Sequence, residues 1–236
     1  MKPRAQLAAI ACIMLTAAPV AETATAQDPD DWAALNRYRL ANSTLAPPGP
    51  AEQRVVFYGD SITEGWARLF AQQFPGKPYV GRGISGQTTP QMLVRFRQDV
   101  VDLRPAVVVI LAGTNDIAGN TGPSTQGMIE DNLKSMVEIA QVNGISVVLS
   151  SVLPASNYPW KPGLDPRPKI ASLNEWMRGY AEGVGAVYLN YHSAMANENL
   201  GLDEELAYDG VHPTEAGYRQ MATLATDAIA TAIADR

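Results

Sequence analysis

The feature that most constrains the fold is a run of five aliphatic residues, Val-Val-Val-Ile-Leu, at positions 107–111. A strand exposed on one face would alternate apolar and polar residues, whereas an unbroken aliphatic run suits a central strand covered on both faces. Similar β-branched runs occupy 54–58, 145–153 and 186–191, and a shorter one occupies 78–80. We therefore predict a sheet whose central strands are buried by helices on both sides.

Helical patterns separate these predicted strands, and candidate helices begin near Ile62, Pro90, Ser124, Pro168 and Thr214. Strands that alternate with helices form crossover units, which produce a parallel sheet. The sequence therefore predicts an α/β protein, a three-layer α/β/α sandwich with a central, mostly parallel sheet. Ligands of such folds bind at the carboxyl ends of the strands.

The domain organisation is simple, because the sequence has no internal repeat and no long linker. Residues 1–26 place two basic residues ahead of an apolar run and end in small residues, a pattern typical of a secretory signal peptide. Cleavage near Ala26 would release an exported protein, periplasmic or secreted. We expect residues 27–52 to form an N-terminal lead-in and residues 53–236 to form one folded domain.

Composition limits the possible cofactors and partners. The single cysteine, Cys12, lies in the predicted signal peptide, so a mature chain would have no thiolate to serve as nucleophile or metal ligand. With two histidines and no His-Glu-x-x-His pair, we expect neither a metal nor another cofactor. The net charge of −6 argues against nucleic acid as a main partner. No apolar run reaches the length of about 18 residues that membrane insertion requires, and the oligomeric state is left open.

Polar motifs follow two of the predicted strands and occupy a late loop. Gly-Asp-Ser-Ile at 59–62 comes directly after one strand, and Gly-Thr-Asn-Asp at 113–116 comes after the aliphatic run. Asp-Gly-Val-His-Pro at 209–213 precedes the last predicted helix. Because parallel strands end at the same edge of a sheet, we expect the first two motifs to lie close together.

These motifs contain the parts of a nucleophilic site. A neutral serine such as Ser61 is a poor nucleophile and needs a base to take its proton. His212 is the candidate base, and Asp209 is close enough in sequence to accept from Nδ1 and leave Nε2 free. The alternative is that Asp60 or Ser61 only caps the next helix. For the other histidine, His192, we expect a structural or surface role.

Attack on an ester carbonyl builds negative charge on oxygen, which preorganised donors stabilise. Asn115 is the side-chain candidate, and Ser61 and Gly86 can each offer a backbone N–H. The alternative for Asn115 is a turn residue whose side chain bonds its own backbone. Asp116 is expected to cap or orient the loop.

In their order along the chain, these motifs resemble those of the GDSL-type, or SGNH, hydrolases, a family named for its Ser, Gly, Asn and His. The resemblance runs from residue 59 to residue 213 and implies a flavodoxin-like sandwich. It implies that a serine nucleophile, an oxyanion hole and a triad are made by the residues Ser61, Gly86, Asn115, Asp209 and His212.

The sequence departs from this family at two places. Ile62 replaces the frequent Leu, a conservative change at an apolar position. Gly81 or Arg82 stands where many relatives have Asn, which affects the expected local hydrogen bonding and not the role of Gly86.

Substrate identity is less constrained than chemistry. Small exported relatives include acetyl esterases of decorated sugars, lysophospholipases and thioesterases. Because the sequence has no long apolar lid of the kind that favours aggregated lipid, we predict hydrolysis of short acyl esters, acetyl above all, on a carbohydrate or small polar carrier. A lysophospholipase or thioesterase is the enzymatic alternative, and an inactive carbohydrate-binding module is the non-enzymatic one.

Three further patterns carry less weight. Residues 81–86 match the Gly-x-Gly-x-x-Gly spacing of a dinucleotide-binding turn, but an earlier strand already precedes them, so we do not expect a nucleotide site. Asn-Ser-Thr at 42–44 fits the glycosylation sequon, which we interpret as a chance match. The Pro-rich segment 154–166 contains Tyr158 and Trp160, and it either walls the substrate cleft or packs on the body of the protein.

Overall fold

The computed structural model describes residues 30–236, so the predicted signal peptide lies outside the described residues. The strands are β1 (Val55–Gly59), β2 (Tyr79–Gly83), β3 (Val107–Leu111), β4 (Ser146–Ser150) and β5 (Val187–Leu189). The helices are α1 (Arg39–Thr44), α2 (Ser61–Ala67), α3 (Phe70–Gln73), α4 (Thr89–Asp99), α5 (Thr114–Ala118), α6 (Gln126–Val142), α7 (Arg167–Val184), α8 (Tyr191–Met195) and α9 (Glu215–Ala234).

The strands form one parallel sheet in the order β2-β1-β3-β4-β5. In the register of the central pair, Val55 of β1 lies beside Val107 of β3. From β1 the chain continues to β2 on one side, and then it crosses to β3 on the other side of β1. The strand order therefore reverses between β1 and β3. Folds with this strand order bind their ligands at that reversal, beyond the carboxyl ends of the two strands.

Helices cover both faces of the sheet. Alternate residues of a strand point to opposite faces, so in β1 Val56 and Tyr58 pack toward α4, α6 and α7, while Val55 and Phe57 pack toward α2 and α9. All five residues of β3 are buried. The three-layer α/β/α prediction is confirmed, and the double covering explains the unbroken aliphatic run.

The element boundaries differ modestly from the predicted ones. The strand predicted at 107–111 has those bounds, whereas the one predicted at 145–153 is limited to β4, and the one at 78–80 extends through β2 to Gly83. The five predicted helices correspond to α2, α4, α6, α7 and α9. The sequence patterns did not predict α1, α3, α5 and α8, which are too short, at four to six residues, to show a helical period.

The glycines of the dinucleotide-like spacing have a packing role. Gly81 and Gly83 lie inside β2 rather than in a turn between a strand and a helix. A Cβ on Gly83 would lie 2.2 Å from the backbone nitrogen of Glu64 and 2.6 Å from the carbonyl oxygen of Asp60. The absence of a side chain at Gly83 therefore lets α2 pack directly on the sheet.

The N-terminal segment is held by polar contacts to α4 and to the edge strand β2. The amide nitrogen of Asn42 donates to Gln98 O at 3.0 Å and to Asp99 Oδ1 at 2.6 Å, while its oxygen accepts from Arg82 at 2.8 Å. Asp99 also forms a fully buried ion pair with Arg95 at 3.0 Å. Because the Asn42 amide is committed to this network, the contacts favour a chance match as the interpretation of the sequon.

Candidate active site

Ser61 is positioned by the junction between β1 and α2. Asp60 caps α2, its Oδ1 accepting from the backbone nitrogen of Ile62 at 3.0 Å. Ser61 is the first residue of the helix, and its hydroxyl Oγ lies 2.9 Å from Nε2 of His212, 151 positions later in the chain. The capping alternative therefore describes Asp60, while the Ser61 hydroxyl is left to face the imidazole.

The His212 ring is held by the loop that precedes α9. Nδ1 of His212 lies 2.7 Å from Oδ2 of Asp209. The other oxygen, Oδ1, accepts from the backbone nitrogens of Val211 at 2.9 Å and His212 at 2.7 Å. With the ring proton on Nδ1, the lone pair on Nε2 faces Ser61, so the three side chains form one hydrogen-bonded series.

The Asp209 carboxylate is kept ionised by its surroundings. Partial burial acts to raise its pKa, but the hydrogen bonds from the His212 backbone, the His212 ring and the Val211 backbone outweigh that effect, and the pKa lies below its usual value. Hydrogen bonds donated to the charged form favour that form. Asp209 is therefore an acceptor over the neutral pH range.

Two residues of the predicted oxyanion hole, Ser61 and Gly86, offer backbone N–H groups. Among residues 30–236, neither the N–H of Ser61 nor that of Gly86 has a hydrogen-bond acceptor. Ser61 is at the start of a helix, where the N–H groups lack partners in the preceding turn. Gly86 has φ of 77°, in the left-handed region that favours glycine.

Asn115 is the buried second residue of α5, four positions after the carboxyl end of β3. Gly113 makes the turn between β3 and α5 with φ of 119°, as the predicted sharp bend requires. The Asn115 amide nitrogen donates to Gln87 O at 3.0 Å and to Asp60 Oδ2 at 3.3 Å. The side chain thus bonds across the β1–β3 reversal toward the residue before Ser61, rather than to its own backbone.

Asn120 is a part of this site that sequence reasoning missed. Its amide nitrogen donates to Asn115 Oδ1 at 2.9 Å and to Gly86 O at 3.2 Å. Its Oδ1 accepts from the Trp160 indole nitrogen at 3.1 Å. One side chain therefore connects the two predicted oxyanion residues. Its polar Gly-Asn-Thr-Gly turn offers no signal in the sequence that separates it from an ordinary loop.

Aromatic rings adjoin the imidazole. The ring centroid of Trp160 lies 6.1 Å from that of His212, and the ring of Tyr208 stacks on His212 at 5.7 Å. In the same Pro-rich segment, Tyr158 is buried and bonds Thr114 at 2.8 Å. Tyr158 therefore packs on the body of the protein, whereas Trp160, which one alternative placed there, is 41% exposed and adjoins His212. That the segment walls a substrate cleft stays a prediction. Tyr208 was also missed, because a lone tyrosine carries no positional signal.

Asp60 and Asp116 are two buried carboxyl groups that are not part of the hydrogen-bonded series of Ser61, His212 and Asp209. Burial raises the pKa of Asp60 to about 6 and that of Asp116 to about 6. Asp116 accepts from the backbone nitrogen of Thr89 at 3.0 Å and from its hydroxyl at 2.6 Å. It thereby fixes the loop after β3 to the start of α4, in agreement with the orienting role expected for it.

Other candidate sites are less complete. His192 lies in α8, burial lowers its pKa, and its backbone nitrogen donates to Ser151 at 2.9 Å, which fits a structural role. Within residues 30–236, no group of three or more His, Cys, Asp or Glu side chains is arranged to hold a metal ion. Two surface cavities of about 400 and 370 Å³ lie elsewhere, the first beside Arg104 and the second beside Arg219.

The three-layer sandwich thus carries the hydrogen-bonded side chains of Ser61, His212 and Asp209 at the carboxyl edge of its sheet. The chain belongs to the GDSL-like lipase/acylhydrolase family, whose model matches residues 57–220. The resemblance inferred from the sequence motifs is thereby confirmed.

Known proteins extend this comparison. The crystal structure of a GDSL-like lipase from Bacteroides thetaiotaomicron is 46% identical, with a TM-score of 0.82, over 85% of this chain and 98% of the other. Esterase TesA of Pseudomonas aeruginosa is 27% identical over 70% of this chain and 82% of its own length. An acetylxylan esterase of Xylanibacter ruminicola is 25% identical over 80% of this chain, which spans 46% of that longer protein.

Within the described part of the chain, no helix is long and apolar enough to cross a membrane.

Proposed function

We propose that the protein hydrolyses short acyl esters, acetyl esters above all, of a carbohydrate or another small polar carrier, through an acyl-enzyme on Ser61. The observation that carries this proposal is the series from Ser61 Oγ to His212 Nε2, 2.9 Å, and from His212 Nδ1 to Asp209 Oδ2, 2.7 Å. The similarity to an esterase and to an acetylxylan esterase supports an ester as the bond that is cleaved.

The first half of the reaction forms the acyl-enzyme. Nε2 of His212 takes the hydroxyl proton as Ser61 Oγ attacks the carbonyl carbon. The Asp209 carboxylate stabilises the imidazolium that results. When the tetrahedral intermediate collapses, the carbon–oxygen bond to the alcohol breaks, the alcohol oxygen takes the proton from Nε2, and the acyl group stays on Ser61.

The second half releases the acid. Nε2 removes a proton from water as the water oxygen attacks the acyl carbon. Collapse of this second intermediate breaks the bond to Ser61 Oγ, which takes the proton back. The products are a carboxylic acid and the regenerated serine, so each turnover consumes one ester and one water and needs no redox partner.

The oxyanion formed in each half is stabilised by three donors. The N–H groups of Ser61 and Gly86 have no acceptor among the described residues, so they are free to bond the developing charge. The third donor is the Asn115 amide nitrogen. Of its two hydrogen bonds, the one to Asp60 Oδ2 is the longer, at 3.3 Å, and the hydrogen of this bond would also be donated to the oxyanion. Each such donor is worth a factor of about 10² to 10³ in rate.

The test is hydrolysis of p-nitrophenyl acetate, butyrate, octanoate and palmitate without added metal. Ser61→Ala should remove turnover of every ester. The matched control is Ser193→Ala, which removes an exposed serine hydroxyl at the start of another short helix, α8, and should leave the rates unchanged. A circular-dichroism spectrum of each variant establishes that the fold is retained.

The dependence on acyl length separates the alternatives. Rates that fall steeply after acetate or butyrate support the short-chain esterase. A maximum at octanoate or beyond would favour the lysophospholipase or thioesterase. No Ser61-dependent activity on any ester would overturn the proposal and favour the inactive binding module.

We also propose that residues 1–26 direct export and are then removed. When the full chain is expressed in a host with an export pathway, the purified protein should begin at Gln27. Mass spectrometry of the intact protein measures this directly, and retention of residues 1–26 on the exported protein would contradict the cleavage.

A further inference from the structure

Two solvent-exposed aromatic rings adjoin His212, and the proposed reaction does not use them. Trp160 is 41% exposed and Tyr208 is 71% exposed. Large apolar side chains gathered on a surface are more often part of a binding site than single scattered ones. Here both rings contact the same imidazole, so they form one surface, which we call the aromatic subsite.

Both rings are held in place by the protein. Trp160 stacks on the buried ring of Tyr158 at 5.1 Å, and its indole nitrogen donates to Asn120 at 3.1 Å. The backbone nitrogen of Tyr208 donates to His212 O at 3.2 Å, and its ring stacks on the imidazole with an interplanar angle of 17°. A ligand that contacts preorganised rings loses less free energy in ordering them.

The chemistry of the proposed reaction determines which part of the substrate meets these rings. Nε2 of His212 delivers its proton to the oxygen of the departing alcohol. The acyl oxygen instead points to the donors around Gly86 and Asn115. Rings that adjoin His212 therefore lie beside the alcohol, and this step rests on the function proposed above.

We propose that the aromatic subsite, Trp160 and Tyr208, binds the saccharide ring that carries the ester. An aromatic face is negative and attracts the C–H bonds of a flat sugar face, while the hydroxyl groups at the sugar's rim stay in water. The groups that bond or stack on His212, among the described residues, are Ser61, Asp209, Trp160 and Tyr208, and they include no cation. A phosphate-bearing alcohol would gain no ion pair from them.

The experiment compares two acetyl donors that differ in the alcohol. One is a fully acetylated methyl xylopyranoside and the other is glyceryl triacetate, which has no ring. Tyr208→Ala should raise KM for the sugar ester about 3- to 10-fold, the effect of losing one aromatic contact, with kcat little changed. The same variant should lower kcat/KM for glyceryl triacetate less than kcat/KM for the sugar ester, and Tyr208→Phe, which keeps the ring, should restore the KM for the sugar ester to within about twofold of the unmodified value.

A second measurement does not depend on turnover of a sugar ester. The unacetylated methyl xylopyranoside should inhibit hydrolysis of glyceryl triacetate competitively, and it should inhibit Tyr208→Ala more weakly. Equal losses on both donors would mean that Tyr208 only supports His212, and they would overturn the subsite while ester hydrolysis stands. A larger effect of Tyr208→Ala on lysophosphatidylcholine than on the sugar ester would also overturn it. Failure of the proposed function is distinct, because the unmodified protein would then hydrolyse neither donor.

Discussion

The side-chain nitrogen of Asn120 donates to Oδ1 of Asn115 at 2.9 Å. This bond fixes which end of the Asn115 amide faces Asp60 and Gln87, because an amide whose oxygen is held must present its nitrogen on the other side. Asn120 is thus a positioning residue for the proposed oxyanion hole.

We expect Asn120→Asp to lower kcat for p-nitrophenyl acetate about tenfold, less than the factor of 10² to 10³ expected for direct loss of a donor in Asn115→Ala. The carboxylate cannot donate to Asn115 Oδ1 or to Gly86 O, and it repels both oxygens. KM should change little, because the effect falls on the transition state. Steady-state kinetics of the two variants measure the split between kcat and KM.

The control for this prediction is Asn143→Asp, which makes the same chemical change at an exposed position after α6. It should leave kcat unaltered. An Asn120→Asp variant that raises KM while kcat stays constant would show that Asn120 acts in substrate binding and not in positioning Asn115.

Asp209 offers a test of the ring tautomer. In Asp209→Asn, Oδ1 can still accept the two backbone hydrogens of the loop, but the amide NH₂ faces Nδ1 of His212. The ring proton then moves to Nε2, which can no longer accept the Ser61 proton, so kcat should fall about 10³- to 10⁴-fold. Asp209→Ala admits water beside Nδ1 and should retain more activity.

The informative result is which of the two variants, Asp209→Asn or Asp209→Ala, is the less active. Comparison of their kcat/KM values for p-nitrophenyl acetate measures this. Asn preserves the turn and Ala does not, so a purely structural role for Asp209 predicts the opposite order. Thermal unfolding of both variants separates the contribution of the turn from that of the tautomer.

The sequence predicted the architecture because burial leaves a local pattern. The aliphatic run of β3 indicates a strand covered on two faces. The Gly-Asp-Ser motif indicates the junction between a strand and a helix that holds Ser61. The parallel sheet then makes the proximity of Ser61 and Asn115 a geometric consequence. His212 was recognisable because its motif also supplies Asp209.

The missed parts have a common physical cause. Asn120 meets the site through bonds to Asn115, Gly86 and Trp160, and Tyr208 meets it by stacking on His212. No periodicity or spacing encodes these contacts. The lead-in is similar, since Asn42 is joined to Asp99 and Arg82 across more than 30 positions by polar bonds. Such contacts depend on the folded geometry and leave no trace in the local sequence.

Burial of Asp116 predicts an effect of pH on stability. Its pKa is raised to about 6 in the folded chain, above the value of about 3.9 of an unfolded aspartate. A raised carboxyl pKa favours folding at low pH, and this stabilisation is lost as pH rises through the folded pKa. Between pH 5 and pH 7.5 the ionisation of Asp116 should therefore lower the unfolding free energy by on the order of 1 kcal/mol.

Asp116→Asn removes this ionisation and keeps an oxygen for Thr89. Urea unfolding of the variant and the unmodified protein at both pH values measures the difference. The variant should gain on the order of 1 kcal/mol relative to the unmodified protein between pH 5 and pH 7.5. Besides burial, the charge of Asp116 also raises the pKa of Asp60, so its removal adds to this gain in the same direction. A difference that is independent of pH would contradict the buried ionisation of Asp116.

A pair of glycine substitutions tests how closely α2 packs on the sheet. A Cβ at Gly83 would lie 2.2 Å from the Glu64 nitrogen and 2.6 Å from the Asp60 oxygen, and backbone atoms of a packed helix cannot move aside. Gly83→Ala should therefore destabilise the fold by about 3 kcal/mol, at the upper end for overpacking. It should also lower activity, because displacement of α2 moves the hydroxyl of Ser61 away from His212.

Gly179→Ala is the matched control, since this exposed glycine lies inside α7 and its Cβ would meet nothing within 4 Å. Alanine restricts the unfolded chain more than glycine, so this variant should be about 0.5–1 kcal/mol more stable. Urea unfolding followed by circular dichroism gives both values. Because the same methyl group is added in each case, opposite signs isolate the contact between α2 and β2, whereas similar changes would show that the Ser61 junction tolerates a side chain at Gly83.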